Sequence, residues 1–169
     1  KQAMLCNFLI TLSLGLGWSQ TKLEFHPVDY RIKEIPLIKE SISSDSPELT
    51  YLSSGFTLNK GDKLKIEIES DKGAKVKFSK KIKEDLKSLI KDDLIKFRFK
   101  KFHSRIEITA KRDTVLSMWN LFSPSIPHII LKKSKPSNKI SIIFTKIENG
   151  EDKELMTCQI PITDYSLQL

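Results

Sequence analysis

The sequence predicts a mainly β domain: an antiparallel β-sandwich, jelly-roll or Ig-like, of about eight or nine strands, with one amphipathic helix near residues 80–93. Three observations predict this class. Apolar and polar residues alternate along most segments, as they do in strands with one solvated face. Glycine, proline and asparagine interrupt the alternation about every ten residues. The period becomes helical only between residues 80 and 93.

The first element, residues 1–19, has the features of a signal peptide. Lys1 precedes an apolar run from Leu5 to Leu16, and Gly17-Trp18-Ser19 offers the small residues that suit cleavage after Ser19. A transmembrane helix is the alternative, but spanning takes about 20 apolar residues and this run is shorter. We therefore expect a mature chain without a transmembrane span, in a secreted, periplasmic or cell-surface location.

The chain has the length and composition of one globular domain. Its 169 residues are 39% hydrophobic and 30% charged. Without residues 1–19 it would carry 28 basic and 21 acidic residues, a formal charge of +7, and one cysteine. That cysteine, Cys158, shares its alternating face with Met156 and Ile160. We expect it to be buried and no internal disulfide to form.

The β elements begin after residue 20. Prolines break the first alternations, so we expect residues 20–48 to form a lead-in edge strand and a loop before a single domain over residues 49–169. In that domain, Leu64–Ile68 and Ala74–Phe78 each alternate apolar with charged residues. The small polar residues of Ser70–Gly73 predict a tight antiparallel connection between the two strands, and hence a β-meander.

The single helix is predicted over residues 80–93. Ser79 precedes it as a candidate N-cap, because its hydroxyl can accept a hydrogen bond from a first-turn amide. Four apolar residues recur at helical spacing and define the face that should pack on the core: Ile82, Leu86, Leu89 and Ile90.

The second half of the chain returns to strand periodicity. Residues 95–99 and 106–110 alternate on either side of Phe102–Ser104, which predicts a second hairpin. Ile140–Ile147 is apolar on both faces in its middle, which is typical of a central strand. Asn149-Gly150 follows as a hairpin turn, because both residues tolerate positive φ angles.

The layout of three segments supports a family comparison. A Gly61-Asp62 turn leads into the strand that ends at Ile68, Thr114–Asn120 runs towards an asparagine, and Ile129–Lys132 follows as the next strand. Over residues 50–147 this layout resembles jelly-roll sandwich modules of the pre-peptidase C-terminal and GOLD-like kind. The resemblance implies a non-catalytic extracellular accessory or binding domain, in which the helix would be an insertion, and it assigns no site residue.

Catalytic and metal-binding patterns are missing from the sequence. His26, His103 and His128 lie in separate segments, without H-E-x-x-H, G-x-S-x-G or paired cysteines. Each histidine is expected to be a surface residue near a strand end. The acidic clusters lack the spaced oxygens of a calcium loop. We therefore expect no enzyme, no cofactor and no bound metal.

Basic charge is concentrated in the middle of the chain. Residues 72–112 hold 15 basic and 5 acidic residues, a local charge of +10. Such a surface attracts phosphate, sulfate or carboxylate groups through Coulomb forces that salt weakens. The candidate anion-binding residues lie on the predicted helix and on the strand that follows it: Lys80, Lys81, Lys83, Lys87, Lys91, Lys96, Arg98 and Lys100.

An ordinary solvated face is the alternative explanation of these charges. The chain has 25 lysines and 4 arginines, as an AT-rich genome would encode, and arginine is the better ligand for phosphate. Phe97, Phe99 and Phe102 are expected in the core, on the side opposite the cations. Aromatic rings would then be missing from the basic face, which argues against single-stranded nucleic acid.

A second candidate surface lies beside the loop that contains Pro124 and Pro127. Exposed, Trp119 and Phe122 would anchor a partner protein or a sugar; buried, they would cap one end of the sandwich. Burial is the interpretation we prefer.

Three hypotheses of function follow. The first is a non-enzymatic secreted or envelope-associated sandwich that acts as an accessory or binding subunit of a surface assembly, with an envelope protein as partner. The second is an anion-binding module that uses the lysine-rich face to hold lipopolysaccharide, anionic lipid, acidic glycan or nucleic acid. The third and least favoured is a hydrolase whose site residues come from separate segments.

Overall fold

Strands dominate the structure of this chain. The computed structural model describes residues 21–24, 27–35, 55–71, 73–117, 121 and 128–167. The predicted signal peptide over residues 1–19 and the polar loop before residue 49 lie outside these residues. The strands are β1 (Thr21–Glu24), β2 (Val28–Asp29), β3 (Glu34–Ile35), β4 (Phe56–Leu58), β5 (Lys63–Ser70), β6 (Lys75–Phe78), β7 (Ile95–Lys100), β8 (Arg105–Ala110), β9 (Thr114–Leu116), β10 (Ile129–Lys133), β11 (Lys139–Glu148) and β12 (Glu151–Thr163).

Two short helices and two 3₁₀ turns, one of them over Lys101–His103, complete the described elements. Helix α1 spans Ile82–Asp85, helix α2 spans Lys87–Lys91, and a 3₁₀ turn covers Tyr165–Leu167. The described strands number twelve, more than the eight or nine that the sequence predicted, because the segment before residue 36 forms three short strands.

The main sheet has the strand order β1-β12-β11-β5-β8-β7, and β2 also pairs with β12. Five of these strands are linked by antiparallel pairings, from β12 to β7. The expectation of a wholly antiparallel sheet is wrong at the other end. There β1 and β2 lie one after the other along β12 and run parallel to it, with Leu23 opposite Cys158 and Val28 opposite Ile162.

Two smaller sheets share a hydrophobic core with the main sheet. One has the order β3-β10-β6 and the other pairs β4 with β9, all antiparallel. The apolar residues of the three sheets and of α1 belong to one buried cluster. Within it, the ring of Phe56 on β4 stacks on that of Phe144 on β11, with centroids 5.4 Å apart. Cys158 is fully buried in the same cluster, as predicted.

The predicted hairpin between β5 and β6 is wrong. Strand β5 lies between β11 and β8 in the main sheet, whereas β6 pairs with β10 in another sheet. The chain therefore crosses between sheets at Asp71–Ala74 rather than folding back. Glycine and small polar residues suit a crossover as well as a hairpin, so they do not identify the partner of a strand.

The predicted single helix is also wrong, because the segment forms two helices. Leu86 separates them with φ −97° and ψ 3°, outside the helical range. Ile82 and Leu86 are fully buried as the periodicity required, but Ile90 is 38% exposed. Ser79 does contribute near the start, where its Oγ accepts a hydrogen bond from the Lys81 amide at 3.2 Å.

Two other hairpins and the central strand are confirmed. Strands β7 and β8 pair from Ile95 opposite Ala110 to Lys100 opposite Arg105. Strand β11 lies between β12 and β5. Asn149 and Gly150 turn the chain from β11 to β12 with φ angles of 52° and 86°, the left-handed pair that an Asn-Gly hairpin turn requires.

Candidate anion-binding surface

Strand β7 ends the main sheet and alternates cations with aromatic rings. The register pairs Phe97 and Phe99 with buried isoleucines of β8, so both rings lie on the core side of the strand and are half-buried. Because neighbouring side chains of a strand point to opposite faces, Lys96, Arg98 and Lys100 project from the other side. All three are exposed.

The helical segment carries five lysines and lies beside β7. All five are exposed: Lys80, Lys81, Lys83, Lys87 and Lys91. The Nζ atom of Lys83 lies 5.8 Å from the ring centroid of Phe97 and 5.8 Å from that of Phe99. This is a cation–π distance. Lys83 and Lys96 therefore lie on opposite sides of β7.

The eight predicted cations thus lie on the last strand of the sheet and on the helical segment beside it, with Lys83 and the cations of β7 on opposite sides of that strand. We call this set of eight residues the basic edge. The only strand that pairs with β7 in the described part of the chain is β8. The basic edge therefore surrounds the end of the sheet.

No described carboxylate neutralises the cations of the basic edge. None of its eight cations forms an ion pair with any residue that the structure describes. Some cations elsewhere are paired, whereas others, such as Lys132 and Lys133, also have no ion-pair partner among the described residues. Arg105 Nη2 lies 2.6 Å from Glu67 Oε1, and Lys146 Nζ lies 2.9 Å from Asp62 Oδ2. Burial disfavours the Glu67 carboxylate, but hydrogen bonds from Arg105 and Lys101 outweigh it and lower the pKa of Glu67.

The turn from β7 to β8 places an aromatic ring in solvent. We call Lys101–His103 the tip turn. Phe102, predicted to be in the core, is 100% exposed. The prediction is wrong because strand geometry ends at Lys100: the φ angles of Lys101, Phe102 and His103 are 46°, 51° and 72°. Side chains alternate between the two faces only in an extended strand, so the alternation no longer predicts the direction of a side chain where φ is positive.

Residues around the tip turn are packed and basic. The imidazole of His103 stacks on the ring of Phe99, with centroids 4.3 Å apart and an angle of 18° between the planes. Burial, followed by the charges of Lys80, Lys77 and Lys83, lowers the pKa of His103. These lysines come from β6 and from the start of the helical segment, so the basic edge extends to the tip turn.

The helical segment also contributes a buried carboxylate, Asp85, which contacts a buried histidine. His128, predicted to be a surface residue, has no exposed side-chain area, and Asp85 has 4%. Nε2 of His128 lies 3.1 Å from Oδ2 of Asp85, which joins the start of β10 to helix α1. Burial lowers the pKa of His128, and the contact with Asp85 opposes that shift without reversing it. The pair can hold two elements together, but a substrate would not reach it.

The second candidate surface, formed by Trp119 and Phe122, lies outside the described residues. Among the residues described, no group of histidine, cysteine, aspartate and glutamate side chains is arranged to hold a metal ion. No described helix has the length and apolar character needed to cross a membrane.

Sequence reasoning predicted the hairpin between β7 and β8 but wrongly placed the ring of Phe102 in the core. The one sequence feature that could have indicated the exposure of Phe102 is its place in the turn between residues 95–99 and 106–110. Comparison of the chain with protein-family models, with curated proteins and with solved structures finds no match. The function is therefore argued from the residues alone.

Proposed function

We propose that this chain is a non-enzymatic binding module, secreted or envelope-associated, that attaches to closely spaced anionic groups through the basic edge. One observation carries the proposal. Eight exposed cations lie on β7 and on the helical segment beside it, and none forms an ion pair with a described residue. Cations that no protein carboxylate neutralises attract phosphate, sulfate or carboxylate groups of a ligand.

In this proposal the sheets pack as a β-sandwich that presents the basic edge at one end. The stacking of Phe56 on Phe144 and the shared buried cluster support this packing. A rigid layered core would hold the cations of β7 at the spacing of alternate strand residues, about 7 Å. That spacing suits a row of charges on a polymer or a surface better than a single small anion.

The burial of His128 and Asp85 supports the non-enzymatic part of the proposal. A general base must come within hydrogen-bond distance of the substrate proton, and these side chains are 0% and 4% exposed. Docking to an envelope protein through Trp119 and Phe122 stays a hypothesis, since both residues lie outside the described part of the chain.

Charge reversal on β7 tests the proposal. A K96E/R98E/K100E variant should elute from a heparin column at much lower salt than the wild type, because three attractive charges become repulsive. Affinity should also depend less steeply on salt: the magnitude of the slope of log affinity against log salt should decrease by about 2 to 3, close to one unit for each cation replaced.

The matched control is K132E/K133E/K135E. These three lysines are also exposed, lie in or just after β10, and their reversal changes the net charge by the same amount. The control should keep most of the heparin affinity. Equal losses in both variants would mean that retention depends on net charge alone, and equal retention of the first variant and the wild type would exclude the basic edge as the binding surface.

A further inference from the structure

The backbone of the tip turn is unusual. Lys101, Phe102 and His103 all have positive φ, although none of them is glycine. Left-handed conformations are rare for residues with a Cβ atom, and three in succession are rarer. Such outliers persist only where surrounding contacts impose them, and they concentrate at functional sites.

Several contacts fix the backbone of the tip turn. Ser104 donates two hydrogen bonds to the Lys101 carbonyl oxygen, from its amide at 3.0 Å and from its Oγ at 2.8 Å. The Ser104 carbonyl in turn accepts a hydrogen bond from the Ile68 amide at 2.9 Å. Lys101 Nζ lies 3.3 Å from Glu67 Oε1. These bonds attach the tip turn to strand β5.

The flanking residues of Phe102 are held in place, whereas its own ring is fully exposed. His103 stacks on Phe99, and Lys101 is paired with Glu67. Phe102 therefore cannot turn inward without breaking these contacts. The turn presents an apolar ring to solvent, which by itself gives the folded chain no stability.

Cations lie on the segments next to this exposed ring. Lys100 and Lys101 precede it along the chain, and both are exposed. Lys83 approaches from the core side of β7, 5.8 Å from the centroid of Phe99. An exposed apolar ring beside unpaired cations such as Lys83 and Lys100 matches the two layers of an anionic membrane surface, acyl chains below and charged headgroups above.

We propose that the tip turn inserts the ring of Phe102 into the interfacial layer of an anionic lipid bilayer while the basic edge holds the lipid headgroups. This inference rests on the proposed function and names its ligand. A soluble polyanion would use the cations but gains little from one ring on a convex turn. Single-stranded nucleic acid would stack its bases on several rings in a groove, and Phe97 and Phe99 are half-buried beneath Lys83.

The test uses a Phe102→Asn variant. Asparagine tolerates the left-handed conformation, so the turn should keep its backbone, its charges and its contacts to Glu67 and Phe99. Binding is measured by sedimentation with vesicles of phosphatidylcholine, with and without phosphatidylserine, and by retention on heparin. The variant should bind the anionic vesicles about tenfold more weakly, the loss expected when one phenyl ring stays in water. Its retention on heparin should match that of the wild type.

A Phe102→Trp variant supplies an independent signal. Its fluorescence, taken as the difference from the wild type with its two tryptophans, should shift to shorter wavelength when anionic vesicles are added. No shift, or unchanged vesicle binding by Phe102→Asn, would overturn the insertion and leave the basic edge intact. Equal losses on vesicles and heparin would show that the ring contacts the polymer, which also overturns it. Failure of the wild type on both matrices would refute the proposed function itself.

Discussion

Gly55 shows how a single backbone position allows two paired strands to approach closely. Its φ of +72° lies in the left-handed region, and a Cβ atom there would come within 2.7 Å of the Leu116 carbonyl oxygen and 2.8 Å of the Ser117 Cα atom. The chain enters β4 through this glycine and pairs at once with β9. Any other residue would therefore push two short paired strands apart.

We predict that Gly55→Ala lowers the free energy of unfolding by about 2 to 4 kcal/mol, since backbone strain adds to steric overlap. Urea denaturation measures the change. Gly61→Ala is the matched control, because Gly61 also has positive φ, at +94°, but a Cβ atom there would meet no neighbour within 4 Å. The control should cost only about 1 kcal/mol, and equal costs would show that the close approach at Gly55 has no energetic effect.

Phe102 and His128 mark where sequence pattern stops being informative about single residues. Phe102 continues the aromatic alternation of β7 in sequence, yet it is fully exposed because the turn breaks strand geometry. His128 stands at a strand start, where histidine is usually solvated, yet it is fully buried. Its partner Asp85 is 43 residues away in sequence. No local pattern identifies such a contact.

At the scale of elements, the pair of His128 and Asp85 connects β10 to α1. Burial lowers the pKa of His128 below its ordinary value of 6.5. Between the folded and unfolded pKa values, the unfolded chain binds more protons, so its population increases as the pH falls. The stabilisation from neutral His128 is thus complete above about pH 6.5 and is lost as the pH falls below it.

We therefore predict that the free energy of unfolding decreases between about pH 7.5 and about pH 5.5, and that His128→Gln makes this decrease smaller. Urea denaturation at both pH values measures it. His103 acts in the same direction because its pKa is also lowered, so His103→Gln is the comparison variant. Asp62 and Glu67, whose pKa values are lowered from 3.8 and 4.5, lose their stabilisation only in more acidic solution. If His128→Gln leaves the pH dependence of the free energy of unfolding unchanged, its attribution to His128 is wrong.

Strand β7 has a second reason to carry lysine. An unpaired strand edge can recruit other chains, and charged side chains along it oppose such pairing. Glutamates at positions 96, 98 and 100 would serve that purpose equally well. The charge-reversed variant should therefore stay as monodisperse as the wild type while it loses heparin affinity, and this separates protection of the edge from anion binding.

The sequence predicted where strands form far better than it predicted which strands pair. Alternation located β5, β7, β8, β11 and β12, because burial of one face imposes a period of two. Asn149-Gly150 also determined its own hairpin, since few residue pairs adopt that turn. The crossover after β5 escaped prediction because its turn residues suit either outcome. The partner of β6 is β10, more than 50 residues later in sequence.

At the scale of the whole molecule, positive charge is concentrated in one part of the chain. Residues 72–112 carry a local charge of +10, while the whole chain carries +8, so the rest is net acidic. The basic edge keeps its cations free of described ion pairs, whereas several cations elsewhere, such as Lys65, Arg105 and Lys146, are paired with carboxylates. If net charge alone attracted anions, they would bind over the whole surface of the protein. Binding through the basic edge would instead place them at one end of the main sheet.

Lysine footprinting tests this claim most directly, because the 25 lysines of the chain report on most of its surface. The protein is acetylated with and without anionic vesicles, and mass spectrometry measures the change at each lysine. We predict protection at Lys83, Lys96 and Lys100 together with the other lysines of the basic edge, and unchanged acetylation at Lys132 and Lys133. Uniform protection of all lysines, or protection centred on Lys132 and Lys133, would contradict the account.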